Sequence, residues 1–348
     1  MILDRRVIVA CVVTSIAGTS QLVMQLQALV ATGDVDEVHL WCGTPDRAVE
    51  AWLAQQHPAA AFELRPSPYV SELLQRWPTS DAFALLRNLS PAHGILDQVR
   101  LVVGRRQPHS IVVMPVLNRF RPAEMYAHYT AARYPDSVVV KIDDSIAYLD
   151  ASSFASLVRT KLDAPHALVV VPSVINHCVC AHFQQRCGIL PVSAVGVVPY
   201  EITDTGKLGS SGSMAGKVHA HFLQNAAAIQ ETSRGLGCIE HAQGDAIALP
   251  FFAIASSDLW AFVEASHGAD PEDAELTLAA RLPRRTGRPV LLDMTTVAAC
   301  VCFGGQELDE AAIRRAYQGL TAKNRTAPCN AGKQATCNRS SSKSPWQC

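Results

Sequence analysis

Residues 7–42 read VIVACVVTSIAGTSQLVMQLQALVATGDVDEVHLWC. The first seven are all apolar and mostly β-branched, the pattern of a strand buried on both faces. In SQLVMQLQALVAT (20–32), Leu22, Leu26 and Leu29 or Val30 recur at helical spacing, and Gly33 closes the helix. VDEVHLWC (35–42) is a second strand, and Gly43 to Asp46 is a turn. Strand, helix and strand in so short a span spell a parallel crossover unit, which needs about 30 residues.

The rhythm continues. HGILDQVRLVVGRR (93–106) reads as a helix and HSIVVMPV (109–116) as a strand. PAEMYAHYTAARY (122–134) is a helix opened by Pro122 near its first position. VVVKIDD (138–144) is a strand, FASLVRTKLD (154–163) a helix and HALVVVPSV (166–174) a strand. Prolines break up 65–95 into an insert. Alternation of this kind predicts an α/β fold: a mostly parallel central sheet with helices on both faces. Further on, 203–217 is Gly/Ser-rich and reads as a surface loop, and VHAHFLQNAAAI as a helix. Residues 248–265 read as an apolar approach to a helix capped by Ser256 or Ser257. Residues 289–304 hold one or two late strands, and 308–320 an amphipathic helix. The expected organisation is one domain over 1–322, with halves 1–150 and 151–322. The polar stretch 323–348 cannot build a core and is expected to be a disordered tail.

The 348 residues are 49% hydrophobic and 18% charged, enough to bury a core, and the formal net charge is −1. Duplex nucleic-acid binding needs a basic face and is disfavoured. No apolar run reaches the length of a membrane span. The N-terminus reads as a buried strand rather than a leader, and a cytoplasmic location is expected. Most body cysteines lie in apolar runs, where a reduced cysteine acts as a small hydrophobe.

VVVKIDDSIAYLD (138–150) is the chemically informative stretch. Asp143 and Asp144 end a strand that otherwise reads as buried. Ligands of open α/β sheets bind beyond the carboxyl ends of the strands. Two adjacent carboxylates repel, so a cation should compensate them. A divalent metal carrying a diphosphate would do so. The plainer alternative is a solvated strand end with Asp144 capping a turn. Lys141 could pair with either acid in both cases.

HYTAARYPDSVVVKIDDSIAYLD (128–150) resembles the segment around the D-x-D motif of nucleotide-sugar glycosyltransferases of the GT-A type, most closely a microbial, fungal and algal group with KIDDDI at this place. VDEVHLWCGTPD (35–46), VPSVINHCVCAHFQQRCGILP (171–191), KVHAHFL (217–223) and DAELTLAARLPRRTGRP (273–289) are similar to further segments of that group, in the same order. The resemblance implies a GT-A-like fold, a Rossmann-like nucleotide-binding half joined to an acceptor-binding half. It implies a metal-dependent transfer, with Mn²⁺ or Mg²⁺, from a nucleoside diphosphate sugar to a glycan or other hydroxyl acceptor, with inversion. Asp143, Asp144, Ser145 and Cys300 take the metal positions. Thr14, Lys141, Asp143 and Asn176 take the donor positions. Glu275, ahead of Asp273, takes that of the base.

Two departures matter. The group's third acid is Ser145 here, and Cys300 stands where it has a histidine. A thiolate is a poor ligand for Mg²⁺ or Mn²⁺. These changes raise the alternative of a weakened relative that binds a nucleotide sugar or glycan to recruit or regulate. Asn176 and His177 also read as a satisfied structural pair, and Trp260 as either a platform for an acceptor sugar or a core residue. His219 and His221, two apart on a helix, share no face.

Overall fold

The computed structural model describes residues 5–56, 62–63, 101–102, 110–114, 122–201, 208–241, 245–265, 274–301 and 306–326. Strand β1 (Val7–Val13) is buried along its whole length. Helix α1 (Ile16–Thr32) follows, then β2 (Glu37–Cys42) and α2 (Arg47–Gln56). Strands β3 (Phe62–Glu63) and β4 (Leu101–Val102) pair antiparallel in a separate two-stranded sheet. Next come β5 (Ser110–Met114), α3 (Pro122–His128), β6 (Val138–Asp143), β7 (Ile146–Leu149), α4 (Ala151–Asp163) and β8 (Val169–Ile175). The second half adds α5 (Cys178–Arg186), α6 (Val192–Val195), α7 (Gly212–Arg234), β9 (Cys238–His241), β10 (Phe251–Ala255) and α8 (Ser256–Ala265). It closes with α9 (Ala274–Leu276), a π-helical turn (Thr277–Arg281), α10 (Leu282–Thr286), β11 (Val290–Cys300) and α11 (Glu310–Thr326).

The main sheet runs β5-β2-β1-β6-β10-β8-β11-β7, with β9 also on β11. Strands β5, β2, β1 and β6 are mutually parallel, and so are β8 and β11. Strand β10 joins the two groups and is antiparallel to both neighbours. Strands β7 and β9 are antiparallel to β11. The fold is therefore α/β with a mostly parallel central sheet. Successive residues of β1, β8 and most of β6 are all buried, so both sheet faces are covered.

Several sequence expectations need correction. Residues 93–106 do not form one helix, because Leu101 and Val102 are in β4. Residues 212–217 of the Gly/Ser-rich stretch are helical: Ser211 accepts from the Met214 amide and starts α7 at Gly212, while 203–207 lies outside the described residues. The approach 248–255 contains β10, a central strand too short and too apolar to show a period. Helix α11 extends through Thr326, past the expected boundary at 322, while 327–348 lies outside the described residues. The sheet runs without a break through both expected halves.

Two buried polar centres fasten the helices. The Lys161 ammonium, 1% exposed, donates to the Ala167 carbonyl (2.6 Å) and lies 3.3 Å from Asp258. Arg288 grips both oxygens of Asp258, at 2.6 and 2.9 Å. One carboxylate thus holds two cations from separate elements. Asp258→Ala should lower the free energy of unfolding by about 3 kcal/mol, the cost of a buried cation left without its partner; chemical denaturation measures it.

His177 caps α5, its Nδ1 accepting from the Cys180 amide while its other ring nitrogen meets the Ala248 carbonyl. His219 on α7 joins the Tyr317 hydroxyl of α11 and the Val301 carbonyl. Burial pushes both imidazoles down to about 4 from an ordinary value of 6.5. The unfolded chain therefore takes up these protons first. Stability should be full above pH 6.5 and fall toward pH 4, by up to about 3 kcal/mol per histidine. Denaturation midpoints at pH 7.5 and pH 5 check this, and His219→Gln should flatten the slope.

Candidate functional site

Strand β1 is flanked by β2 on one side and β6 on the other. The connection from β1 runs to β2, and the chain later returns to β1's opposite edge as β6. The carboxyl ends of β1 and β6 are therefore the switch point of the sheet, where ligands of open α/β folds bind. Thr14 and Ser15 follow β1 there, and Asp143, Asp144 and Ser145 end β6.

Strand alternation separates the two acids. Lys141 and Asp143 are two apart and share a face; Asp144 follows on the turn. The Asp144 carboxylate is taken up by the β1–α1 loop. It accepts from the Thr14 and Ser15 amides at 2.8 and 2.6 Å, from the Thr14 and Ser15 hydroxyls at 2.8 and 3.1 Å, and from the Thr19 hydroxyl at 3.4 Å. Helix N-termini favour anions, and here the anion is a side chain of the protein itself. Ser15 also caps α1 by accepting from the Gly18 amide. A Cβ on Gly18 would lie 2.6 Å from the Asp144 carbonyl oxygen, so only glycine lets α1 abut this turn. Arg314 of α11 donates to that same oxygen at 3.1 Å.

On the other face, the Lys141 ammonium is 3% exposed and makes three bonds: to Asp143 (2.7 Å), to Glu275 (2.6 Å) and to the Leu249 carbonyl (2.8 Å). An ammonium has three protons, and all three are used. Burial opposes its charge, but the Asp143 and Glu275 carboxylates outweigh burial and hold its pKa above the ordinary value. Burial raises the Asp143 carboxyl well above the usual carboxylate range; Lys141 opposes the shift and Glu275 adds to it. The Asp143 and Glu275 side chains are 27% and 43% exposed, so both acids reach solvent from a buried base.

Two orphaned hydroxyls lie in the elements around this triad. Tyr126 of α3 is buried against Phe252 and Phe262, and its hydroxyl has no hydrogen-bond partner among the described residues. Burial raises its pKa, and the charges of Lys141, Glu275 and Asp143 act on it. Thr277, two residues after Glu275 and first in the π-turn, has a buried hydroxyl without a partner among the described residues. Such turns recur at functional sites. The sequence reading missed both, since each looks like an ordinary core position.

The other expected residues are placed as follows. Thr14 spends its amide and hydroxyl on Asp144. The Ser145 carbonyl accepts from the Val301 amide at 2.8 Å. Asn176 is buried with φ +66, and its amide bonds the Val301 carbonyl and both polar atoms of the Gln306 side chain. It ties strand ends together. Cys300 is buried, opposite Ile146. Asp273 lies outside the described residues.

These donors do not suit a divalent ion as the resemblance implies it. Asp144 is committed to five donors, Cys300 is soft and buried, and Asp143 and Glu275 already share a cation. Among the described residues, no three His, Cys, Asp or Glu side chains are grouped to hold a metal. Nor is any described helix long and apolar enough to cross a membrane. The chain matches no protein-family model and no curated protein.

If Asp144 is a clamp and Asp143 a site residue, the two substitutions separate. Asp144→Ala should cost about 3 kcal/mol of stability, since it strands buried amides. Asp143→Ala leaves Lys141 two acceptors and should cost about 1 kcal/mol. Parallel denaturant titrations measure both.

Proposed function

We propose that the chain is a GT-A type glycosyltransferase that takes a nucleoside diphosphate sugar at the carboxyl edge of β1 and β6. One observation carries the reading. Lys141 draws Glu275, from the late acidic segment, to Asp143 at the end of β6, so acids distant in sequence meet at the sheet's switch point. The resemblance gives Asp143 a metal and donor position and Glu275 that of the base.

In this reading Glu275 is the base. The acceptor hydroxyl oxygen forms a bond to the anomeric carbon as the bond from that carbon to the diphosphate breaks. The diphosphate leaves with the electron pair, and the hydroxyl proton passes to Glu275. Lys141 fixes the Glu275 carboxylate and supports its negative charge until the proton arrives. A base aligned in this way contributes roughly 10² to 10⁴ in rate. Attack from the face opposite the leaving group inverts the configuration.

A second reading, a nucleotide-sugar or glycan binder without turnover, is favoured by the withdrawal of Asp144 into the β1–α1 loop. The test is calorimetric binding of nucleoside diphosphate sugars, with and without Mn²⁺, together with nucleoside diphosphate release over an acceptor panel. Glu275→Gln should keep donor binding within about threefold and lower turnover at least about 100-fold. Absence of binding to any nucleoside diphosphate overturns the proposal, and binding without turnover establishes the second reading.

A further inference from the structure

We propose that the Lys141 ammonium occupies the place of a divalent cation, so that the site binds its donor without a metal. The proposal deepens the nucleotide-sugar reading and rests on it for the effect on donor binding; its metal-binding part stands alone. Three observations support it. Asp143 and Glu275 each approach Lys141 Nζ, at 2.7 and 2.6 Å, so the charge that would draw a metal ion between them is already partly neutralised by a cation from β6. The acid that could add a third negative ligand, Asp144, is held by backbone amides and hydroxyls of the β1–α1 loop. Lys141 is itself fixed by the Leu249 carbonyl and by burial, so the ammonium cannot swing aside without losing every partner in a dry setting.

The arrangement is also self-consistent in charge. With both acids ionised, the two carboxylates and one ammonium leave one net negative charge. A divalent ion entering beside a fixed ammonium would meet repulsion as well as attraction, and a hard ion such as Mn²⁺ needs several unencumbered oxygens. Removing the ammonium should therefore create a metal site. Retaining it should prevent one.

The experiment is Mn²⁺ titration of the full chain, followed by the electron paramagnetic resonance signal of free Mn²⁺. Wild type should leave the signal of added Mn²⁺ undiminished, and Lys141→Met should remove about one Mn²⁺ per chain, with circular dichroism confirming its fold. Stoichiometric Mn²⁺ uptake by wild type that Asp143→Asn abolishes overturns the proposal. So does a folded Lys141→Met that takes up none. Wild type with Asp143→Asn decides the matter even if Lys141→Met does not fold. In the donor arm, dialysis against a chelator should change nucleoside diphosphate sugar affinity less than about twofold. A tenfold loss restored by Mn²⁺ contradicts the proposal, whereas no donor binding in any condition counts against the nucleotide-sugar reading alone.

Discussion

The Asp144 carboxylate accepts from two consecutive backbone amides and three hydroxyls at the start of α1. That set of bonds joins the end of β6 to the end of β1, residues some 130 positions apart in the chain. It fixes where α1 begins and leaves room at Gly18 for nothing larger than a hydrogen. It also brings the turn 143–145 against α11 through Arg314. With the turn so fixed, the Lys141–Asp143 face of β6 has a defined position, and Glu275 can meet it. Loss of this anchor would loosen the helix, the turn and the triad together.

The sheet was legible in the sequence where burial is two-sided. VIVACVV, VVVKID and VVVPSVI are runs that only a central strand explains, and the α1 stripe of leucines is unambiguous. The misses have physical causes. Helix α1 begins at Ile16 because a distant carboxylate and Ser15 satisfy its first amides; local propensity around Gly18 argues against a helix there. Strand β10 is five apolar residues next to a helix, a length at which strand and helix periods cannot be told apart. Ser211 is a readable cap, but the glycines around it hid the start of α7.

At the candidate site, the sequence pointed to Lys141 as a partner of an acid, and the structure pairs it with two. It grouped the two aspartates in the metal reading and separated them in the alternative that has Asp144 capping a turn. A period of two on β6 assigns Lys141 and Asp143 to one face and leaves Asp144 to the turn. The meeting of Lys141 with Glu275 was not legible from spacing, because it depends on how α9 returns to β6 across 134 positions. Tyr126 and Thr277 carry no local signal at all. Their hydroxyls stand out only once the packing shows no partner for them among the described residues.

Strand β10 has a consequence for synthesis of the chain. It is the sole described strand joining the β5-β2-β1-β6 group to β8 and β11, and it comes late, at Phe251–Ala255. As the polypeptide emerges from its N-terminus, β1, β2, β5 and β6 can pair while the inner edge of β6 is still open. That edge is β-branched and apolar, the kind that pairs with foreign strands. The nascent chain must keep it covered until more than a hundred further residues have been made. Contacts so distant in sequence close slowly. The step at which β10 inserts is thus the point where a growing chain covers the open edge of β6.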